Sequence, residues 1–311
     1  MNHSRKMPTG CIPAGASNYN DVASHTGQRG NFPEASTPVV AMNLLAQIQQ
    51  LAADVAQNII LPGFAAVQAS HKQDGSLLTK ADIQAHRALS GQLPGLADFP
   101  VLSEEMSIAA QQAILDTGPA DYWCIDPIDG TTNFVYGVPY WCVSIALIVD
   151  GQMHFAVVYD PNRKECFSAQ DGGPAMLNDE PLPVNPNMQA TELEQCLGLI
   201  DFKRLQPALK QRLLAHPPYR SQRSFGASAL DLCWIAAQRC HLYLHGRQYL
   251  WDHAAGLLIL QQAGGQAQTF QGEAVFQNNL LSKSVLAASS GPLMEKWRDY
   301  FQDIEEFMPA N

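Results

Sequence analysis

Asp126-Pro127-Ile128-Asp129-Gly130-Thr131-Thr132-Asn133-Phe134 is the stretch of this chain from which the rest can be read. It follows an apolar run ending in Trp123-Cys124-Ile125, which has the composition of a buried strand. Pro127 predicts a break in that strand, with both carboxylates in a turn at its end. A helix starting near Gly130 or Thr131 would aim its free N–H groups at the same spot. Hard cations need several oxygen ligands and anions sit well on helix N-termini, so one turn could serve both. A single Asp here would read as a capping carboxylate. Two of them, followed by Gly-Thr-Thr after a buried strand, favour a site.

Downstream, Cys142–Val149 and Met153–Tyr159 are expected to pair as a hairpin turning at Asp150-Gly151. Asp160-Pro161-Asn162 then turns the chain into a third strand, Glu165–Ala169. This is an antiparallel sheet with a helical layer, not a Rossmann unit. Upstream, Thr37-Pro38 forms a helix start, and Val40, Leu44, Leu45, Ile48, Leu51, Ala52 and Val55 keep helical spacing to about Asn58. A second helix is expected from Lys80 to about Leu89.

Beyond residue 186 strands and helices alternate. The expected order is strand Cys196–Ile200, helix Pro207–Ala215, helix Ala227–Gln238, strand His241–His245 and helix Trp251–Ala263. Strands Gln266–Phe270 and Ser284–Ala288 and a helix Pro292–Phe301 complete it. Residues 1–35 are rich in Asn, Ser, Gly, Pro and Thr without apolar periodicity, and cannot offset their ordering entropy by burial. The organisation expected is therefore a flexible tail over 1–35, an α+β subdomain over 36–185 with most of the acidic candidates, and an α/β subdomain over 186–311.

Composition narrows the function classes. Hydrophobic residues make up 46% of the 311 and charged residues 15%, as in a globular protein with a sizeable core. The net charge is −10 and no stretch is rich in Lys and Arg, which argues against a nucleic acid polymer as partner. A small phosphorylated metabolite stays compatible, because bound metal can supply positive charge. Seven cysteines, an odd number without C-x-x-C spacing, read as reduced core thiols of a cytoplasmic protein. No apolar run approaches the roughly 20 residues of a membrane span, and no apolar segment follows Arg5-Lys6 as in a signal peptide. A membrane partner is not expected.

Three further acidic points lie outside the central motif: Glu104 in Ser103-Glu104-Glu105, Asp82 in Thr79-x-x-Asp82, and Asp252 in Trp251-Asp252-His253-Ala254-Ala255-Gly256. Singly, Glu104 reads as a solvated turn, and Asp82 and Asp252 as helix N-terminal carboxylates. Their order and surroundings change that reading. Asp126 to Phe134, continuing through Pro139 to Val143-Ser-Ile-Ala146, resembles the first signature of the inositol monophosphatase superfamily, the lithium-sensitive, magnesium-dependent phosphomonoesterases. Trp251 to Gly256, followed by Ala263-Gly-Gly265, resembles the second. Thr79 to Asp82, Ser103 to Glu105, and Leu177-Asn178 with Pro181-Leu182 fall in the right order, so the similarity covers roughly residues 38–300.

The resemblance implies a layered α-β-α-β-α sandwich, a homodimer, and Mg²⁺-dependent hydrolysis of a small inositol- or sugar-phosphate-like monoester. It implies that Glu104, Asp126 and the Ile128 carbonyl hold a first Mg²⁺, that Asp126, Asp129 and Asp252 hold a second, and that a weaker third ion lies near Glu104. Asp82 and Thr131, with Glu104, would orient the attacking water, and the N–H groups of Gly130 and Thr131 would hold phosphate. Asp129, Gly226, Ala227, Ser228, His245 and Asp252 would line the substrate side. Close carboxylates stay ionised together only beside a cation, and such ions can activate water and clamp both oxygens of an in-line displacement.

One departure bears on specificity. Inositol-specific members carry a Glu seven residues before the second-motif Asp; here that position is His245, in Leu244-His245-Gly246-Arg247. Two readings stand side by side: His245 and Arg247 favour a more anionic substrate, or they are an ordinary loop His and a solvated Arg. Aspartate-nucleophile phosphatases are set aside, because their two Asp are separated by one residue and here Pro127 and Ile128 intervene. The remaining alternatives are a 3′-phosphoadenosine nucleotide, fructose bisphosphate or histidinol phosphate as substrate, or a non-catalytic binding member that has lost a metal carboxylate.

Overall fold

The helical spacing that opens at Pro38 continues as α1 (Pro38–Val55) and relaxes into a π-turn over Ala56–Ile60. This is a computed structural model, which describes residues 38–65, 69–71, 77–116, 121–182 and 189–304. The tail expected over 1–35 and the cap at Thr37 lie outside the described residues. A short hairpin, β1 (Ala69–His71) with β2 (Leu77–Thr79), leads into α2 (Lys80–Leu96). α2 outruns the expected end at Leu89 and contains Pro94. Leu89 and Leu93 are fully buried. Their packing outweighs the poor helix propensity of Gly91, Pro94 and Gly95.

Next come β3 (Val101–Ser103), α3 (Ile108–Leu115), β4 (Tyr122–Asp129), α4 (Thr131–Tyr136), β5 (Cys142–Val149), β6 (Gln152–Asp160), β7 (Glu165–Gln170), β8 (Met176–Leu177) and β9 (Glu180–Pro181). β3 to β9 form one seven-stranded sheet in chain order, with β3 parallel to β4 and the other pairs antiparallel. The hairpin between β5 and β6 turns where Asp150-Gly151 predicts.

Pro127 requires a correction. It does not end its strand: β4 continues to Asp129, with a shift of register against β5 between Asp126 and Asp129. A bulge leaves residues unpaired, so a proline without an N–H can sit there without losing a ladder bond. Asp126 and Asp129 therefore stand on the strand itself, held by a buried sheet.

The second half comprises β10 (Leu197–Asp201), a 3₁₀ turn Phe202–Arg204, α5 (Pro207–Ala215), β11 (Ser221–Arg223), α6 (Ser228–Ala236) and β12 (Leu242–Gln248). α7 (Leu250–Gln262), β13 (Gln266–Gln268), β14 (Lys283–Ala288) and α8 (Gly291–Asp299) follow. The strand order is β11-β10-β12-β14-β13; the first three are parallel, and β14 is antiparallel to both neighbours. Period-2 alternation divides the faces. Leu199, Tyr243, Val285 and Ala287 join the core of α6 and α7, whereas Ile200, Leu242, Leu244, Leu286 and Ala288 join that of α5 and α8.

The larger sheet alternates likewise. Trp123, Ile125, Val143, Ile145 and Leu147 pack with α1 and α2, while Tyr122, Cys124, Cys142 and Ala146 face α6 and α7. The result is the expected α-β-α-β-α sandwich: α1 and α2, the seven-stranded sheet, α6 and α7, the five-stranded sheet, α5 and α8. α7 lies between two sheets, which is why it is apolar on most sides and buries Leu250, Trp251 and His253 to Leu260. Its Gly256 lets α6 approach closely, since a Cβ there would lie 2.8 Å from Leu232 Cβ. The six described cysteines are free thiols, five of them buried. Among the described residues no helix is long and apolar enough to cross a membrane.

Candidate functional site

Two helix starts and one bulged strand meet at the edge where β11, β10 and β12 end. β4 contributes Asp126 and Asp129, which are 2% and 6% exposed. Asp126 Oδ1 accepts the Ile128 N–H at 3.0 Å across the bulge. Asp129 Oδ2 accepts the Ala229 N–H at 2.6 Å, so it caps the first turn of α6, and the Cys142 thiol lies 3.7 Å from the same oxygen. Asp252 stands three residues into α7, where its Oδ2 accepts the Tyr249 N–H at 2.7 Å. Glu104, half-buried after β3, is anchored by its own N–H on the Ile125 carbonyl at 3.2 Å.

These acids feel one another. Burial, partly offset by the Ala229 and Ser228 N–H groups, pushes Asp129 up to about 7, and the Glu104 charge adds to the rise. Burial likewise raises Asp252 well above the usual carboxylate range, and the charges of Glu104 and Asp129 push the same way. By area Asp252 is only partly buried, so its carboxylate is deeply surrounded by protein yet open on one side. Among the described residues no three His, Cys, Asp or Glu side chains converge on a single point, because most of these carboxylates are turned onto backbone N–H groups. The donor set still fits a hard cation. It consists of oxygen ligands whose joint ionisation burial and mutual repulsion oppose, which is the situation a divalent ion relieves.

Asp82, fully buried at the third position of α2, closes a reciprocal cap with Thr79. The Thr79 N–H donates to Asp82 Oδ2 at 2.7 Å, and the other carboxylate oxygen lies 3.5 Å from Thr131 Oγ1. Thr131 Oγ1 is also 3.1 Å from the Ile128 carbonyl. Gly130, the residue before α4, has φ of +94°, and a Cβ there would lie 3.2 Å from Ala227 Cβ, Trp141 Cβ and the Tyr140 carbonyl. Only glycine fits both the left-handed turn and that space.

Of the predicted substrate-side residues, Gly226, Ala227 and Ser228 form the approach to α6. Asn133, which sequence reasoning quoted without a role, pins that approach to α4: its Nδ2 donates to the Tyr140 carbonyl at 2.7 Å and to the Phe225 carbonyl at 2.6 Å. Its place inside the central motif was the signal. His245 is more constrained than its loop-like sequence suggests. Nε2 lies 2.9 Å from Asp201 Oδ2 and Nδ1 accepts the Arg247 N–H at 3.2 Å, so both ring nitrogens are committed. Arg247 Nη2 donates to the Tyr249 hydroxyl at 2.7 Å, with the guanidinium 5.5 Å from that ring's centre. Among the described residues, Arg223 bonds its own neighbourhood, at Ser221 Oγ and the Gln222 carbonyl. Asp201 and Arg204 were missed. Nothing in a lone Asp-Phe-Lys-Arg reveals that a parallel strand will bring it beside His245.

A sequence profile of the inositol monophosphatase family matches residues 41–306. The chain belongs to the inositol monophosphatase family. Within that family a Nus factor SuhB of Pasteurella multocida is 35% identical over 241 residues, spanning 74% of this chain and 87% of that one. A fructose-1,6-bisphosphatase/inositol-1-monophosphatase of Thermotoga maritima is 30% identical over 223 residues, spanning 68% and 81%. The structure of a Thermotoga maritima IMPase superposes with a TM-score of 0.72 at 26% identity, over 86% of this chain and 100% of that one. As an inositol monophosphatase family member, the chain is a phosphoric monoester hydrolase.

Proposed function

We propose that the chain hydrolyses a small inositol- or sugar-phosphate-like monoester with magnesium held among Glu104, Asp126, Asp129 and Asp252. One observation carries this reading. Carboxylates from sequence positions as far apart as 104 and 252 share one electrostatic neighbourhood, in which Asp129 and Asp252 are both raised. Glu104, Asp126 and the Ile128 carbonyl would hold one ion, Asp126, Asp129 and Asp252 a second, with a third near Glu104. Magnesium bound there would lower the pKa of a water and offset charge on the phosphoryl oxygens.

The chain's own groups do the positioning. The Gly130 and Thr131 N–H groups would receive the phosphate at the start of α4. Thr131 Oγ1, between Asp82 and the Ile128 carbonyl, would orient a water together with Glu104 and pass a proton towards Asp82. The alcohol portion would lie towards Asp129, Gly226, Ala227, Ser228 and Asp252. His245 would shape that side with its ring face, its nitrogens being engaged. Lithium sensitivity and a homodimer belong to the same reading.

Phosphate release tests it, measured over inositol, sugar, nucleotide and histidinol phosphates with Mg²⁺, with EDTA, and with Mg²⁺ plus Li⁺. Turnover that needs Mg²⁺ and stops with Li⁺ supports the proposal, and the best substrate names the reaction. No release from any compound would sink it in favour of a binding role, a reading to which the name of the Pasteurella relative lends weight.

A further inference from the structure

The wall of the site formed by β10 and β12 is built from residues that no motif marks. β11, β10 and β12 run parallel, so their carboxyl ends share one edge, and ligands of open α/β sheets bind at such edges. α6 starts at this edge and holds Asp129 on its Ala229 N–H; α7 starts there and carries Asp252. The 3₁₀ turn Phe202–Arg204 leaves the same edge directly after Asp201, which is in register with His245.

That turn is held firmly. Asp201 Oδ1 accepts the Lys203 N–H at 2.9 Å, and buried Leu205 anchors its exit. At Gly246 a Cβ would stand 2.0 Å from the Arg204 carbonyl oxygen and 2.7 Å from its carbon, so the backbone of Arg204 lies directly on β12. The Arg204 side chain, by contrast, is exposed and has no hydrogen bond or ion pair with a described residue. Its charge reaches both Asp201 and Asp252.

The neighbouring groups that could recognise a neutral hydroxyl are used internally. His245 has spent both nitrogens, and Asp201 accepts from His245 on one oxygen and from Lys203 on the other. What this wall presents to a substrate is cationic: Arg204, and Arg247 held over Tyr249. In a chain of net charge −10, that sign is local and opposite to the whole.

We propose that Arg204 is a specificity-determining residue that receives a second anionic group, phosphate or carboxylate, on the alcohol portion of the substrate. The proposal rests on the phosphomonoesterase reading above and narrows its substrate class. A fixed backbone carrying an exposed guanidinium suits such a group, because a planar fork can pair with either anion in two parallel bonds.

The test uses matched substrates: fructose 1,6-bisphosphate against fructose 1-phosphate for a phosphate tail, and 3-phosphoglycerate against glycerol 3-phosphate for a carboxylate. Initial rates are compared for the wild type, Arg204→Gln and Arg204→Lys, with circular dichroism checking the fold. The expected wild-type enzyme prefers the anionic partner of at least one pair in kcat/KM. Arg204→Gln lowers that preference about tenfold, through KM, and Arg204→Lys restores part of it. The pair that responds identifies the anion. An unchanged preference, with any loss equal on both partners and confined to kcat, overturns the proposal and leaves Arg204 as a counter-charge for Asp252. Should the wild type hydrolyse none of the four, release from the wider panel of inositol, nucleotide and histidinol phosphates decides the phosphomonoesterase reading separately. Calorimetric titration with fructose 1,6-bisphosphate then decides the subsite: weaker binding by Arg204→Gln supports it, and equal or absent binding overturns it.

Discussion

At the scale of single residues, the site trades stability for charge. Asp126 is 2% exposed; burial holds the Cys124 thiol well above its usual range, and the nearby Asp126 charge adds to that rise. Asp126→Asn keeps shape and acceptor oxygen while removing one of several crowded charges. The expected outcome is a fall in kcat/KM of about a thousandfold or more with no loss, or a small gain, in melting temperature. Phosphate release and calorimetry on one preparation check both halves, and a variant that stays active would remove Asp126 from the proposed ligands. Thr131 makes a narrower case. Thr131→Ala deletes the hydroxyl between Asp82 and the Ile128 carbonyl, and should cost about a hundredfold in kcat. Thr131→Ser, keeping the oxygen, should restore most of that; equal losses in both would mean that the methyl group matters and the hydroxyl does not.

Elements are placed by contacts that single residues cannot reveal. The approach to α6 reaches the site because Asn133 of α4 bonds the carbonyls of Tyr140 and Phe225. Removing that amide in Asn133→Ala leaves two half-buried carbonyls without their donor, at a cost of about 2–3 kcal/mol in urea unfolding. KM should rise with it, since Gly226 and its neighbours lose their tether; an unchanged KM would detach this loop from substrate binding. The 3₁₀ turn after β10 depends on Gly246. Gly246→Ala puts a methyl group 2.0 Å from the Arg204 carbonyl oxygen, and must displace the turn or bend β12. A loss of about 2–4 kcal/mol is expected in the same assay, against near-neutrality if the turn is free to move.

For the whole molecule, the sandwich brings a bulged strand of one sheet and two helices packed on the other to a common edge. Folding therefore concentrates negative charge where a divalent ion would relieve it. Mg²⁺ should raise the melting temperature and EDTA should reverse the rise, with about 2.7 kcal/mol gained at a hundredfold excess over the dissociation constant. Differential scanning calorimetry across a Mg²⁺ titration checks this without any substrate, and a melting temperature indifferent to Mg²⁺ would argue against ligation by these acids.

Much of this architecture was legible in the chain. Apolar runs bounded by turn signals located β5, β6 and β7, helical spacing located α1, and the two signatures named the acids, because turn signals, period and motif are local properties. What local pattern misjudged was decided by packing. α2 runs past Pro94 because Leu89 and Leu93 are buried, and β4 runs through Pro127 because a bulge spares the missing N–H. The pairing of Asp201 with His245 and the docking of Arg204 on Gly246 arise from strands 44 residues apart in register, Asp201 to His245. No periodicity encodes that, since parallel register is set only when both strands bury their faces against the same helices. The proposed phosphate end was thus written in contiguous motifs, while the wall proposed to face the rest of the substrate exists only in the folded chain.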